Sequence, residues 1–239
     1  MRVSIVIPVY NEEPRLRKVI TRVEKAIERI TKDYEVIIAE DGSIDGTDRL
    51  ARQIGRENPK VIHLHSDERL GRGEALKRAF KRSKGEILVY MDSDLATDLK
   101  HLKELISFIE NGAQFSTGSR LLPESGTRRS VRREIASRTY NLLVRTLFGI
   151  PIHDMQCGFK AFERKALFDI LDDIEDKHWF WDTECLVRAY KKGYKVVEFP
   201  VRWKDKESSK VNFVKDSMRM GTKLVMLWWK LEGFKWMCL

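Results

Sequence analysis

Short apolar runs alternating with segments of helical periodicity constrain this chain more than any single residue does. Strand-like runs lie at Val3 to Val9, Glu35 to Ala39, Val61 to His65, Ile87 to Met91 and Phe115 to Thr117. Between most of them come helical patterns at Pro14 to Ile30, Gly46 to Arg56, Gly73 to Ser83 and Leu99 to Asn111, several ending near Gly or Asn. A strand that leads through a helix to the next strand builds a parallel sheet with helices on both faces. The expected class is therefore α/β, with this regular half covering residues 1–120.

Beyond Arg120 the pattern changes to a basic helix from Arg128 to Phe148, a short Gly-Phe-Lys-Ala-Phe strand, another helix, and a strand from Lys195 to Trp203. Nothing resembling a linker separates the halves, so residues 1–210 are expected to form one domain of two parts, 1–120 and 121–210. At 239 residues and 42% hydrophobic content the chain can bury a full core without staples. Its three cysteines, Cys157, Cys185 and Cys238, show no paired spacing, which fits a reducing compartment. The opening Met1 to Pro8 begins a strand at once and lacks the pattern of a signal peptide, so a cytosolic location is expected for the body of the protein.

In open α/β sheets ligands bind outside the carboxyl ends of the strands. The first strand ends in Pro8-Val9-Tyr10-Asn11-Glu12, the second in Ala39-Glu40-Asp41-Gly42-Ser43, and the fourth in Asp92-Ser93-Asp94. Two carboxylates at the end of a buried strand are costly without a cation. Mg²⁺ or Mn²⁺ suits them, since such hard ions take oxygen ligands and bridge carboxylates to phosphate. The plainer alternative is that Asp92 and Asp94 cap the turn before the helix near Asp98. Asp45 or Thr47 is expected to cap its own following helix, with Asp41 left to hydrogen-bond a nucleobase or ribose as well as the turn.

Other patterns limit the function. The segment from Asp41 has Arg52 where a calcium loop needs a bidentate glutamate. Gly71-Arg72-Gly73 lacks the further residues of a phosphate loop or dinucleotide fingerprint, and reads as a helix entry with a nearby cation. Lys plus Arg number 45 against 36 Asp plus Glu, a net +9 that favours an anionic partner. Arginines cluster at Arg120, Arg128, Arg129, Arg132, Arg133 and Arg138, and Arg120, Arg132 and Ser137 are candidates to hold an anionic acceptor. A non-catalytic nucleic-acid module is disfavoured because carboxylates cluster at the strand ends and no nucleic-acid motif is present.

The stretch Val211 to Leu239 interleaves Trp, Phe and Leu with Lys. Lys230, Glu232 and Lys235 interrupt it well before the roughly 20 apolar residues needed to cross a bilayer. Residues 211–239 are thus expected to form amphipathic helices lying in a membrane interface, with packing on the core or on a second copy as the alternative.

Taken together these residues resemble the inverting nucleotide-sugar glycosyltransferases of the GT-A (Rossmann-like) fold, and among them the dolichyl-phosphate hexose synthases. The motifs are Ile7 to Glu12, Glu40 to Ser43, Asp92-Ser93-Asp94-Leu95-Ala96-Thr97, Gly118-Ser119-Arg120, Asp154 to Lys160, Trp179 to Glu184, and Trp203 followed by Ser208-Ser209-Lys210. They look most like the glucose synthase branch, since the related mannose synthases usually carry glutamine where Ala96 stands.

The resemblance implies a nucleotide-binding half (1–120) and an acceptor-binding half (121–210) joined in a mostly parallel mixed sheet. It implies nucleotide contacts from Pro8, Tyr10, Glu12, Ala39, Asp41, Asp92, Ser93 and Asp94, with metal on Asp92 and Asp94. Arg120, Arg132 and Ser137 match acceptor-phosphate positions, and Lys204 and Lys210 match a closing loop over the donor diphosphate. The implied reaction moves a hexose, glucose from UDP-glucose ahead of mannose from GDP-mannose, to a dolichyl or polyprenyl phosphate at the cytoplasmic membrane face. Asp94, Asp92 and Arg120 are its expected catalytic groups, and a homodimer is compatible with it. Transfer to a saccharide hydroxyl would instead require a base, for which Asp182 is the candidate, its plainer role being a helix N-cap.

Overall fold

The computed structural model describes residues 2–128, 130–204 and 213–233. Seven strands form the main sheet: β1 (Val3–Val9), β2 (Tyr34–Glu40), β3 (Val61–Leu64), β4 (Ile87–Met91), β5 (Phe115–Ser119), β7 (Phe159–Glu163) and β8 (Val196–Pro200). Their spatial order is β3-β2-β1-β4-β7-β5-β8, and β7 alone runs antiparallel to its neighbours. The expected mixed, mostly parallel α/β sheet is present. A separate parallel pair joins β6 (Thr127–Arg128) to β9 (Trp203–Lys204).

The strands β1, β2 and β4 are mostly apolar because both faces of the sheet are covered. Val6, Ile37, Leu88 and Tyr90 belong to one core, while Ile5, Ile7, Val36, Ile38, Val89 and Met91 belong to the other, as the two-residue period of a strand requires. The first core packs against α3 (Arg72–Arg82), α6 (Arg164–Leu171) and α7 (Trp181–Lys191). The second packs against α1 (Glu13–Ile27), α2 (Thr47–Glu57) and α4 (Leu102–Glu110).

Several expected boundaries shift. The strand expected from Lys195 to Trp203 stops at Pro200, and Trp203 begins the second pairing. The basic helix starts at Val131 rather than Arg128, because Thr127 and Arg128 are drawn into that pairing; it is α5 (Val131–Phe148). The helix expected from Leu99 opens as a tight 3₁₀ turn, Leu99–His101, where Asp98 accepts the Lys100 N–H at 3.0 Å.

The C-terminal helix α8 (Phe213–Trp228) is amphipathic. Met220, Leu224 and Leu227 are buried in the first core, while Val225, Met226 and Trp229 are exposed. Ion pairs of Lys223 with Asp176 and Lys230 with Glu175 fix it to the loop before α7. No described helix is long and apolar enough to cross a membrane.

Candidate active site

Parallel pairing brings the ends of β1, β2 and β4 to one edge of the sheet, with Pro8 opposite Ala39 and Val9 opposite Glu40. The chain turns sharply as it leaves two of these strands. Asn11 and Leu95 adopt left-handed backbone conformations, with φ of 52° and 48°. For a leucine this costs on the order of 1 kcal/mol or more, and such strain persists only where the surroundings impose it. Leu95 donates its N–H to Asp92 O at 3.1 Å, which closes the turn carrying Asp92, Ser93 and Asp94.

Asp92 is held from two sides. Arg72, at the start of α3, places one guanidinium nitrogen 2.6 Å from Asp92 Oδ1 and the other 2.7 Å from Asp182 Oδ2. The same guanidinium contacts the Tyr90 hydroxyl and lies over the Tyr90 and Trp179 rings at 5.0 and 4.7 Å. On the opposite side lies Gly158, just before β7, whose carbonyl accepts the Asp92 N–H at 3.1 Å. A Cβ on Gly158 would fall inside the Asp92 carboxylate, so only glycine fits there.

Asp182 is 1% exposed and lies in the first turn of α7. The expected N-cap role is not what the structure shows, because Phe180 occupies the cap and no side chain caps this helix. Lys160, fully buried in β7, lies 2.9 Å from Asp182 Oδ1. That contact is one of charge, since the ammonium aims its hydrogen bonds at the carbonyls of Met155 and Cys157 and leaves Oδ1 without one.

Burial together with the charges of Asp94 and Asp182 raises the Asp92 pKa to about 6, against the opposing pull of Arg72. Its side chain retains 40% of its surface, so water still reaches one side. Asp92 thus combines a restrained orientation with an open face.

Asp94 is half-buried, and its Oδ1 accepts the Ala96 N–H at 2.9 Å, so the capping alternative holds for that oxygen. Its Oδ2 has no hydrogen-bond donor among the described residues. Asp92, Asp94, Leu95, Thr97, Gly158 and Trp203 line a cleft at this point. An oxygen-only donor set with one carboxylate pinned and one oxygen unclaimed fits a hard divalent cation.

The other nucleotide candidates share this edge. Asp41, 5% exposed, accepts the N–H groups of Leu70 and Gly71 at 2.8 and 2.9 Å, so it braces the loop that delivers Arg72. The Glu12 N–H donates to Thr47 Oγ1 at 2.8 Å, and the Tyr10 ring stacks under the Arg69 guanidinium at 3.8 Å. Pro8 and Ser93 are half-buried and Ala39 is buried. The helix after Asp41 is capped differently from expectation. Gly46 takes the N-cap position, while Asp45 accepts the Thr47 N–H at 3.0 Å and the Glu13 N–H at 3.3 Å.

Arg120, at the end of β5, is bound by Asp154 through Nε and one Nη at 2.7 and 2.8 Å, and its backbone N–H donates to the same carboxylate at 2.9 Å. Asp154 is fully buried; burial would raise its pKa, but the Arg120 charge and hydrogen bonds outweigh that and hold it at about 2. The other Nη of Arg120 has no hydrogen-bond partner among the described residues.

On α5, Arg132 is exposed, whereas Ser137 Oγ is buried without a hydrogen-bond partner. Among the described residues no hydrogen bond or ion pair joins either to Arg120. Lys204 is exposed, and its backbone N–H donates to Ala96 O at 3.0 Å, which brings the start of the expected closing loop beside the Asp92–Asp94 turn. Lys210, like Ser208 and Ser209, lies outside the described residues.

Sequence reasoning missed Arg72 and Lys160 as partners of the acidic groups. Arg72 sat visibly between two glycines at a helix entry. Lys160 stood alone in an otherwise apolar strand, where a buried cation demands a carboxylate.

A family model described as glycosyl transferase family 2 matches residues 4–171, and the chain belongs to that family. The fold is of the GT-A type: glucosyl-3-phosphoglycerate synthase from Mycobacterium tuberculosis, solved with Mn²⁺, UDP and glucosyl-3-phosphoglycerate, superposes with a TM-score of 0.69 at 19% identity, covering 97% of this chain and 80% of that one.

Glycosyltransferase AglD of Haloferax volcanii is 44% identical over 97% of this chain, which spans 38% of that protein's length. Polyprenol monophosphomannose synthase of Mycolicibacterium smegmatis is 32% identical over 86% of this chain and 78% of its own length. Dolichyl-phosphate beta-glucosyltransferase of Saccharomyces cerevisiae is 29% identical, over 94% of this chain and 73% of its own.

Proposed function

We propose that this glycosyltransferase moves a hexose from a nucleoside diphosphate sugar to a polyprenyl or dolichyl phosphate, with UDP-glucose as donor. The mannose and glucose synthases among the relatives share the lipid-phosphate acceptor, which supports that acceptor whichever sugar is carried. The observation that carries the reading is the state of Asp182. It is buried and engaged by Arg72, Tyr90 and Lys160, so it is poorly placed to take a proton from a sugar hydroxyl. An acceptor that brings its own anion needs no such base, and a phosphate monoester with a second pKa near ~6 is largely ionised at neutral pH.

In this reading Asp92 and Asp94 hold Mg²⁺ or Mn²⁺, which when bound neutralises charge on the departing diphosphate. Arg72 fixes Asp92 and is itself fixed by Asp182, so Asp182 is a positioning residue. Asp154 fixes Arg120, whose remaining Nη is offered to the acceptor phosphate, with Arg132 and Ser137 as further acceptor contacts. Pro8, Tyr10, Glu12, Ala39, Asp41 and Ser93 line the nucleotide, and Lys204 and Lys210 cover its phosphates. An acceptor phosphate oxygen bonds to the anomeric carbon as the bond from that carbon to the diphosphate oxygen breaks, which inverts the centre.

The exposed apolar residues of α5 and α8 support docking on a membrane surface. Val131, Ile135, Leu142 and Leu143 on the one, with Val225, Met226 and Trp229 on or beside the other, remain uncovered on helices that touch.

The test is a panel of UDP-glucose, GDP-mannose and other donors against polyprenyl phosphate and saccharide acceptors. Transfer from UDP-glucose to the lipid phosphate alone is expected. Transfer to saccharide hydroxyls at a comparable rate would overturn the acceptor assignment, and a preference for GDP-mannose would overturn the sugar.

A further inference from the structure

On the far side of β1 from the Asp92–Asp94 turn, four side chains of a different character converge. Glu40 ends β2, Asp48 lies in the first turn of α2, His63 is in β3, and His65 follows it. One ligand atom from each lies within 4.8 Å of all the others. Bonds of about 2.0–2.1 Å to a tetrahedral ion place ligand atoms roughly 3.4 Å apart, so small side-chain adjustments separate this cluster from such a site.

The hydrogen bonding is incomplete in a way that points to a cation. His65 Nε2 is held by Asp67 Oδ1 at 3.0 Å, which puts a proton on Nε2 and turns Nδ1 towards the group. Nδ1 there faces two carboxylate oxygens, Glu40 Oε2 at 2.5 Å and Asp48 Oδ1 at 3.1 Å. A second proton on His65 would satisfy that nitrogen but not the neighbouring ring. His63 Nε2, on a side chain 10% exposed, is buried and makes no hydrogen bond, with Asp48 Oδ1 3.5 Å away. Glu40 Oε1 accepts the Ser43 N–H at 2.5 Å and Asp48 meets the exposed Arg52 guanidinium at 3.3 Å, so each carboxylate is already partly engaged, and one metal ion would add the partner that both imidazole nitrogens require.

We infer that Glu40, Asp48, His63 and His65 form a second metal site, for Zn²⁺ or a similar borderline-soft divalent ion, with Asp67 orienting His65 from outside. Two imidazoles with two carboxylates favour such an ion over Mg²⁺. The position, two strand spacings or roughly 10 Å across the sheet from β4, separates it from Asp92 and Asp94. Its role is structural. It ties the end of β2, the entry of α2 and the end of β3 together directly behind Asp41, which positions the loop carrying Arg72.

The test uses the full chain bearing Asp94→Asn, stripped of metal and titrated with Co²⁺ and with Zn²⁺. One equivalent bound, with the intense visible absorption of low-coordinate Co²⁺, is expected; a chain that binds no equivalent overturns the site. In the same chain with ¹⁵N-labelled histidine, Zn²⁺ should shift the ring nitrogens of two of the five histidines. Shifts of other histidines, or of none, would also overturn it, whether or not any variant folds. Adding His63→Gln should remove the Co²⁺ band while the circular dichroism of the chain stays native; an unchanged band contradicts the assignment.

Discussion

Arg72 bridges Asp92 and Asp182, with guanidinium nitrogens 2.6 and 2.7 Å from the two carboxylates, so the strand-end acid and the helix-borne acid are oriented by one cation. Arg72→Lys keeps the charge but cannot span both. Outer groups of this kind typically matter by 10–100-fold. The variant should lose about that factor in kcat/KM while its circular dichroism stays native, and undiminished turnover would show that the bridge does not orient Asp92.

Gly158 makes a second, purely steric demand on the same carboxylate. Gly158→Ala places a methyl where Asp92 stands, and overpacking of this kind costs roughly 1–3 kcal/mol. Urea denaturation should show that loss, and Mn²⁺ affinity should fall with it. A variant as stable and active as the parent would mean that Asp92 can sit elsewhere without penalty.

Much of this arrangement was legible beforehand. The apolar runs and their helices gave the parallel part of the sheet, and the ligand-binding edge followed from where Pro8, Asp41 and Asp92 fell. The antiparallel strand β7 was recognised as a strand, but its insertion between β4 and β5 was not, since pairing partners are set by tertiary packing rather than by periodicity. For the same reason the contacts of Arg72 with Asp182 and of Arg120 with Asp154 were hidden, spanning 110 and 34 residues. Asp182 read as a base candidate or a helix cap because it stands at the start of a helical pattern, whereas its observed partners, Arg72, Tyr90 and Lys160, come from three other elements.

The Arg120–Asp154 pair predicts an acid-dependent stability. Asp154 titrates at about 2 in the folded chain and near 3.8 when unfolded, so its contribution is fully present above that value and is lost as pH falls towards 2. That shift corresponds to about 2 kcal/mol. Asp154→Asn should be less stable than the parent at pH 7 by at least that amount, because Arg120 is left buried without its partner. The gap measured by urea unfolding should narrow between pH 4 and pH 2; a gap independent of pH would rule out the ion pair as its source.

Membrane docking calls for a test that spares the core, because Met220, Leu224 and Leu227 of α8 are buried and truncation would expose their partners. The combined substitutions Val225→Ser, Met226→Ser and Trp229→Ser alter only exposed positions. Retention on anionic phospholipid vesicles should fall several-fold in sedimentation, with the unfolding midpoint nearly unchanged. Equal retention would place the contact elsewhere.

In the proposed reaction Asp94, beside Asp92 just after β4, anchors the metal on which hexose transfer to a lipid phosphate depends. Transfer of labelled glucose from UDP-glucose to polyprenyl phosphate, followed with Mn²⁺ present in the parent and in Asp94→Asn, tests it most directly. Product should scale with metal in the parent and be essentially absent in the variant, at matched fold and concentration. Parent-like turnover by Asp94→Asn, or transfer by the parent that is indifferent to metal and chelator, would contradict it.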